Sequence, residues 1–119
     1  MTEFIQVYTA VNSKATAKKI ARELLKQRMA SCVQVLGRIE SNYWWKGRMD
    51  QTTEWICLIK ARANDYRRIE ASIKKMHPYE VPEILAVPVI RGQADYLNWI
   101  RNETARKPKC ARARSRTRL

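Results

Sequence analysis

The sequence predicts an α+β fold in which one antiparallel sheet carries two helices on one face, with a further short helix near the C-terminus. Three observations lead to this prediction. Strand-like and helix-like segments follow one another in the order β-α-β-β-α-β. Lys46-Gly47 separates two long strand-like segments and predicts a hairpin turn. The chain has 119 residues and 45% hydrophobic content, which suits a single domain with its own core.

The N-terminal segment predicts a strand followed by a helix. EFIQVYTAV, at positions 3–11, is rich in β-branched and aromatic residues, a composition typical of strands. Asn12 or Ser13 can then cap a helix. The helix is predicted because apolar residues recur at the spacing of a core-facing stripe, namely Ala17, Ile20, Ala21, Leu24 and Leu25.

Two long strands are predicted at 32–45 and 48–61, with a bulge or bend at Gly37. Each strand would reach about 45 Å at about 3.3 Å per residue, whereas the first helix would reach only about 24 Å. The second of these strands also has apolar residues on both faces, Trp55 and Cys57 on one, Ile56 and Leu58 on the other. A strand with one face in water would alternate more clearly. We therefore expect an obligate homo-oligomer whose neighbouring subunits cover the hairpin end and the second sheet face; the alternative is a monomer with an apolar sheet face.

The second half of the chain predicts a helix and a strand. Asn64 or Asp65 can cap the helix, and Pro78 ends it because a proline disfavours helical backbone at the preceding residue. The apolar stripe of this helix consists of Tyr66, Ile69, Ile73 and Met76. The strand spans 83–90, and Pro88 within it cannot donate a ladder hydrogen bond, which predicts an edge strand or a bulge.

A last helix is predicted from about Gln93 to Glu103, with its apolar side facing inward through Tyr96, Leu97 and Ile100. The complete order is the split βαβ, or ferredoxin-like, sandwich with an extra C-terminal helix. We expect this domain to occupy residues 1–103. Residues 104–119 hold seven of the 24 Lys and Arg residues and no acidic residue, which predicts a disordered basic tail. The tail is interpreted either as a solubilising extension or as a site of non-specific, salt-sensitive polyanion contact.

Cysteine spacing and hydropathy indicate the compartment. No run of about 20 apolar residues exists, so no membrane span is expected. The N-terminus lacks the features of a signal peptide, and a cytoplasmic location is therefore expected. Cys32, Cys57 and Cys110 show no CxxC spacing, which argues against a disulfide framework and against a structural zinc site. Cys32 and Cys57 are expected to be core residues, and Cys110 is expected to be exposed in the tail.

Four motifs together resemble the CutA divalent-cation tolerance family. They are SNYWWKGRMDQTTEW at 41–55, HPYEVPEI at 77–84, DYLNWI at 95–100, and Ala30-Ser31-Cys32-Val33. The resemblance covers residues 4–101 in the same order. It implies a ferredoxin-like fold, a tight homotrimer related in architecture to the trimeric PII signalling proteins, copper tolerance and divalent-metal binding. It implies no enzyme activity.

His77 and Cys32 are the candidate metal ligands. An imidazole nitrogen and a thiolate suit copper, and both residues match positions of the family pattern. The resemblance also implies a cysteine in the first strand of members proposed to bind copper through thiols, whereas this chain has Tyr8 there. The other interpretation of His77, the only histidine, is a helix C-terminal cap whose cation interacts with the helix dipole.

A second group of candidates could form a cleft between subunits. Tyr43 and Trp45 share a strand face, and they are interpreted either as an aromatic anchor for a neighbouring subunit or as a pocket wall. Lys60 could pair with Glu54 or meet an anion. The polar candidates for a small-ligand or metal site are Glu54, Lys60, Tyr79, Glu80, Glu83 and Asp95.

The predicted function is copper or other divalent-cation homeostasis by a cytoplasmic homotrimer that binds rather than catalyses. The chain has no Gly-rich phosphate loop, GxSxG or HExxH motif, so no enzyme class is indicated. The alternative is a PII-like trimeric small-molecule sensor or protein scaffold that binds its ligand in the inter-subunit cleft, with metal incidental. An RNA-binding sheet is a further alternative, but the K/R-G-F/Y-G/A-F-V-x-F/Y run of such domains is absent.

Overall fold

The computed structural model describes residues 2–105 and contains the predicted elements in the predicted order. The elements are β1 (Phe4–Val11), α1 (Lys14–Lys26), β2 (Cys32–Trp45), β3 (Arg48–Arg62), a 3-10 turn (Ala63–Asp65), α2 (Tyr66–Met76), β4 (Ile84–Pro88) and α3 (Ala94–Glu103). The prediction of a ferredoxin-like α+β fold is therefore confirmed.

The four strands form one antiparallel sheet in the order β2-β3-β1-β4. β4 lies at the edge beside β1, with Pro88 opposite Ile5. Pro88 is the last residue of β4, so its missing N–H interrupts no ladder further along the strand. The prediction of an edge strand is confirmed, although β4 is shorter than the predicted 83–90.

The β2-β3 hairpin carries both of the irregularities predicted for it. Lys46 and Gly47 have φ angles of 50° and 81°, and two successive residues with positive φ are what a tight two-residue hairpin turn requires. The register of β2 against β3 shifts between Gly37 and Ile39, which confirms a bulge. A Cβ added at Gly37 would lie 2.6 Å from Nε1 of Trp55, so the indole ring occupies the space that any larger residue would need.

The helix boundaries are confirmed, with two corrections of detail. Ser13 caps α1 by accepting a hydrogen bond from the Thr16 N–H at 3.2 Å. Leu25 was expected to face the core but is 41% exposed, because it lies about 100° around the helix from the buried Leu24. Asp65 occupies the N-cap position of α2 but makes no capping hydrogen bond there. It is buried and instead accepts from the Arg68 guanidinium at 2.6 Å.

α1 and α2 cover one face of the sheet and enclose the hydrophobic core. The fully buried helix residues at this interface are Ala17, Ile20, Leu24, Ile69 and Ile73. They pack with residues of β1 and β3 that alternate along each strand, namely Ile5, Val7, Val11, Cys57, Ile59 and Ala61.

The opposite face of the sheet, which we call the open face, is also apolar. The intervening residues of β3 point to this side, among them Ile56 and Leu58, as predicted. Leu36 in β2 is 54% exposed, and Leu85 and Val87 in β4 are 58% and 43% exposed. Exposed leucine and valine side chains across one sheet face are typical of a surface that contacts another protein.

The packed domain extends beyond the predicted boundary at residue 103. Thr104 is buried, its hydroxyl donates to the Ile100 carbonyl at 2.8 Å, and its own carbonyl accepts from Arg62 at 3.3 Å. Thr104, which was assigned to the predicted tail, therefore packs with the domain. The predicted disorder of the tail and the predicted exposure of Cys110 concern 106–119, which lie outside the described residues. Within 2–105, no helix is long and apolar enough to cross a bilayer.

Candidate functional site

His77 lies at the joint between α2 and the segment that leads to β4. Its backbone is extended, with φ −80° and ψ 131°, as expected for a residue that precedes a proline, and its N–H donates to the Ile73 carbonyl. The side chain is buried. Nε2 lies 2.9 Å from the Ala10 carbonyl oxygen, and Nδ1 accepts a hydrogen bond from the Tyr79 N–H at 3.3 Å. The ring therefore ties the joint to β1.

These two hydrogen bonds assign the tautomer of His77. A carbonyl oxygen can only accept, so Nε2 carries the proton and Nδ1 presents its lone pair to the Tyr79 amide. Burial lowers the pKa of His77, while the Ala10 hydrogen bond and the Glu54 carboxylate act in the opposite direction. A neutral ring with both nitrogens occupied is a structural tie. His77 holds the C-cap position as expected, but not as the cation that a dipole interaction needs.

The structure does not bring Cys32 and His77 together. Val33 and Val35 pack against the core, so Cys32 projects from the open face. Cys32 pairs with Lys60, whereas the carbonyl that His77 contacts belongs to Ala10, four positions farther along the sheet, a separation of about 13 Å. Within 2–105, no three or more His, Cys, Asp and Glu side chains are grouped closely enough to hold a metal ion.

A large concavity lies between the outer half of the hairpin and the segment after α2. Its volume is about 850 Å³, and four carboxylates line it, those of Asp50, Glu54, Glu80 and Glu83. We call it the acidic cleft. Aromatic and small polar side chains complete the lining, and they include Tyr43, Trp44, Trp45, Thr52 and Tyr79. Carboxylates beside aromatic rings form a surface that favours a cation.

A buried hydrogen bond organises the base of the acidic cleft. The Tyr79 hydroxyl donates to Oε2 of Glu54 at 2.6 Å, and Glu54 is only 6% exposed. Burial raises the pKa of the Tyr79 hydroxyl, and the neighbouring Glu54 carboxylate adds to the rise, so this hydroxyl keeps its proton. The Tyr79 ring also meets the His77 ring edge to face at 4.7 Å. The proline-bounded joint thereby fixes one wall of the cleft.

The rim of the acidic cleft is held less firmly. The Tyr43 hydroxyl is hydrogen-bonded to the Thr52 hydroxyl on the facing strand. Lys46 approaches Glu80 at 3.9 Å, and both side chains are more than two-thirds exposed, at 70% and 71%. An exposed ion pair of this kind contributes about 0–1 kcal/mol. Glu80 therefore remains available to a ligand.

Six of the predicted cleft residues line the cavity together: Tyr43, Trp45, Glu54, Tyr79, Glu80 and Glu83. Lys60 does not, because it lies six residues from Glu54 along β3, a separation of about 20 Å, and its ammonium donates to Gln34 at 2.6 Å rather than to Glu54. Asp95 lies in the first turn of α3 beside Gln93 and is also absent from the cleft. Sequence reasoning missed Asp50, although a hairpin register counted from the Lys46-Gly47 turn places it opposite Tyr43.

Comparison with known proteins identifies a matching family and three related proteins. The profile of a family described as CutA1 divalent ion tolerance protein matches residues 5–103. Divalent-cation tolerance protein CutA of Thermus thermophilus is 35% identical over 98 residues, which are 82% of this chain and 95% of that protein. Protein CutA 1, chloroplastic, of Oryza sativa is 35% identical over 84% of this chain. Protein CutA of Homo sapiens is 38% identical over 81%. The chain spans about half the length of these two eukaryotic relatives, 56% and 53%.

Solved structures match the fold over nearly their whole length. CutA1 from the psychrotrophic bacterium Shewanella superposes with a TM-score of 0.85 at 36% identity and covers 88% of this chain and 98% of its own. The divalent cation tolerance protein from Thermus thermophilus superposes with a TM-score of 0.84 at 33% identity and covers 86% of this chain and 99% of its own.

Proposed function

Since the chain belongs to the CutA1 divalent ion tolerance family, we propose that it acts in tolerance of copper and other divalent cations by binding, as a homotrimer. The observation that carries the proposal is the acidic cleft, where the Glu54 carboxylate is held in a buried position by Tyr79 and three further carboxylates line the same cavity. No catalytic step is proposed.

The trimer is proposed because the chain leaves apolar surface that its own helices do not reach. β2 has 14 residues and spans about 46 Å, whereas α1 has 13 residues and spans about 20 Å. The open face exposes Leu36, Leu85 and Val87, and the hairpin end exposes Trp44 and Met49. Copies of the chain packed against one another would bury these side chains.

The donors in the acidic cleft decide which cations suit it. Carboxylate oxygens prefer hard or borderline divalent ions over Cu(I), which prefers thiolates and thioethers. Within the described residues one chain presents no grouped set of three donors, so the residues of a single chain do not fit a complete resident metal site. We therefore place the metal, as cargo, where the cleft of one subunit meets a neighbouring subunit that adds ligands. Cys32 and His77 of a single chain are not its ligands.

A second candidate function is a PII-like trimeric sensor or scaffold in which metal is incidental. The observation that favours it is the size and lining of the acidic cleft. Its volume of about 850 Å³ lies within the range of about 300–1,000 Å³ typical of small-molecule sites. The exposed ring of Trp44, together with Tyr43 and Trp45, offers stacking surface for an organic cation.

One experiment separates these functions. The reduced protein is titrated with Zn(II), Cu(II) and Cu(I) by calorimetry, and its mass is measured by light scattering. We expect a mass of three times 14.0 kDa and saturable Zn(II) or Cu(II) binding that Glu83→Gln weakens about tenfold or more. Cys32→Ser serves as the control and should leave binding unchanged. Binding lost in Cys32→Ser would contradict the carboxylate site, and a monomeric mass would contradict the trimer. A trimer without saturable metal binding would favour the sensor.

A further inference from the structure

The solvent-facing side of α1 and α2 is strongly positive. The two helices carry nine exposed Lys and Arg side chains, namely Lys14, Lys18, Lys19, Arg22, Lys26, Arg67, Arg68, Lys74 and Lys75. Their only acidic residues are Glu23 and Glu70. We call this surface the basic helix layer. It lies on the side of the sheet opposite the open face, because the same helices bury their apolar stripes in the core.

Most of these charges are not neutralised by the protein itself. Among residues 2–105, Arg68 is the one member of the layer with a carboxylate within 4.0 Å, that of Asp65 at 2.6 Å. Lys18, Arg22 and Lys26 follow one another at every fourth position and form a row with an axial spacing of about 6 Å. Like charges four residues apart destabilise a helix by about 0.2–0.5 kcal/mol per pair. The row therefore costs stability rather than providing it.

The row borders a shallow groove, and its three cations line that groove together. The groove has a volume of about 350 Å³ and is lined by Ala15, Lys18, Lys19, Arg22, Glu23 and Lys26. Four of these six residues are cationic, and the small side chain of Ala15 leaves space between them. The groove therefore suits a polymer backbone that carries repeated negative charge. Helix α1 is about 20 Å long, which spans about six phosphates of one duplex strand at about 3.4 Å each.

We propose that the basic helix layer binds double-stranded nucleic acid through its phosphate backbone, without reading base sequence. The layer provides phosphate-binding cations but no exposed aromatic ring on which an unpaired base could stack. Tyr66, the aromatic residue of these helices, is partly buried and donates its hydroxyl to Glu70 at 3.1 Å. Single-strand binding relies on aromatic platforms, whereas duplex backbone binding needs only positioned positive charge.

A bilayer fits this surface less well than a duplex. A helix that lies on a membrane buries an apolar face between the headgroups and the acyl chains. The apolar faces of α1 and α2 are already buried, Ile20 and Leu24 on one helix and Ile69 and Ile73 on the other. A duplex carries one negative charge per about 1.7 Å of axis and requires no apolar insertion. The charge complementarity of the layer therefore points to nucleic acid.

The test is an anisotropy titration of the full-length protein against a labelled DNA duplex of about 24 base pairs at several KCl concentrations. The first variant, Lys18→Gln/Arg22→Gln/Lys26→Gln, removes the row. A matched variant, Arg112→Gln/Arg114→Gln/Arg116→Gln, removes the same charge from the C-terminal residues. We expect the parent to bind the duplex, and we expect the logarithm of its binding constant to fall linearly with the logarithm of the KCl concentration. The row variant should bind about tenfold more weakly or worse at about 50 mM salt, with a slope shallower by about 2.7.

Three outcomes would overturn the proposal. They are a parent that does not bind the duplex, a matched tail variant that loses more affinity than the row variant, and an affinity that changes about tenfold or more with base sequence. The same titrations are repeated with phosphatidylserine vesicles. Vesicle binding that depends on the row, in the absence of duplex binding, would assign the layer to a membrane surface instead. Circular dichroism of each variant verifies that the fold is intact.

Discussion

The acidic cleft and the basic helix layer are both charged surfaces, but they are built in opposite ways. In the cleft, side chains from distant parts of the chain hold one another, as in the bond from Tyr79 to Glu54, and Glu54 is nearly buried. In the basic helix layer, charges from two neighbouring helices are exposed. Of the nine cations in this layer, Arg68 alone has a carboxylate within ion-pair distance among residues 2–105.

This contrast determines which kind of ligand each surface can select. A buried carboxylate that is held by a hydrogen bond keeps its position, so the cleft can select by geometry and donor type. Exposed lysines and arginines are mobile and screened by salt, so the helix layer can select only by charge density. The stability of the protein should therefore be sensitive to changes in the cleft and insensitive to changes on the outer face of α1.

The largest effect is expected beneath the helix layer, where the two sides of α1 can be compared at adjacent positions. Ile20 is fully buried against the sheet, and Ile20→Ala should lower the free energy of unfolding by about 2–5 kcal/mol because it leaves a cavity. Lys19→Ala should change it by about 0.5 kcal/mol or less. Urea unfolding of both variants measures the contrast. A comparable loss in Lys19→Ala would mean that the outer face supports the fold.

The next effect concerns the base of the acidic cleft. Tyr79→Phe removes the donor to Glu54 and leaves a nearly buried carboxylate without that partner, which should cost about 1–3 kcal/mol of unfolding free energy. Tyr43→Phe is the matched control at the exposed rim, where water can replace the hydroxyl, and should cost less than about 1 kcal/mol. Denaturant unfolding of the two variants gives the comparison. Equal losses would show that the cleft is no better organised at its base than at its rim.

A smaller effect is expected from pH at the joint beside the cleft. Burial lowers the pKa of His77 in the folded protein below its ordinary value of 6.5, so between these two values the unfolded chain binds more protons. Stability should therefore be lost as pH falls through 6.5 towards the folded pKa, because protonation breaks the bond that Nδ1 accepts from Tyr79. His77→Gln should lack this component. Urea midpoints at about pH 7.5 and about pH 5.5 test it, and identical pH dependence in the parent and the variant would contradict it.

Much of the fold could be predicted because its signals are local. Lys46-Gly47 indicated the hairpin turn, and β2 begins and ends where it was predicted, at Cys32 and Trp45. Ser13 caps α1 as expected. Asp65 occupies the predicted N-cap position of α2, but its side chain makes no capping hydrogen bond, because Arg68, one turn away, binds its carboxylate, which the local pattern does not reveal.

The candidate site was less predictable because it depends on strand register and on which face each residue occupies. Asp50 enters the cleft through its pairing opposite Tyr43, and Lys60 lies outside the cleft because it is about 20 Å from Glu54 along β3. His77 and Cys32 were grouped by chemistry, but they lie about 13 Å apart along the sheet. The basic helix layer also requires two helices to pack side by side, which charge counting alone does not indicate.

The smallest effect separates the two surfaces most sharply. Arg22→Gln removes two like-charge contacts, with Lys18 and Lys26, and should raise the free energy of unfolding by about 0.5 kcal/mol. Arg28→Gln, the same substitution at an arginine paired with Glu103 at 2.8 Å, should lower it by up to about 1 kcal/mol. Arg22→Gln should also reduce the salt slope of duplex binding by about 1.

A residue whose removal improves folding and impairs binding is maintained for binding, which is the property that distinguishes the helix layer from the cleft. In the cleft, Tyr79 and Glu54 are expected to support folding and ligand geometry together, because one hydrogen bond serves both. If Arg22→Gln left both stability and duplex affinity unchanged, the row would be an ordinary solvated surface. Thermal unfolding and anisotropy on the same preparation decide between these cases.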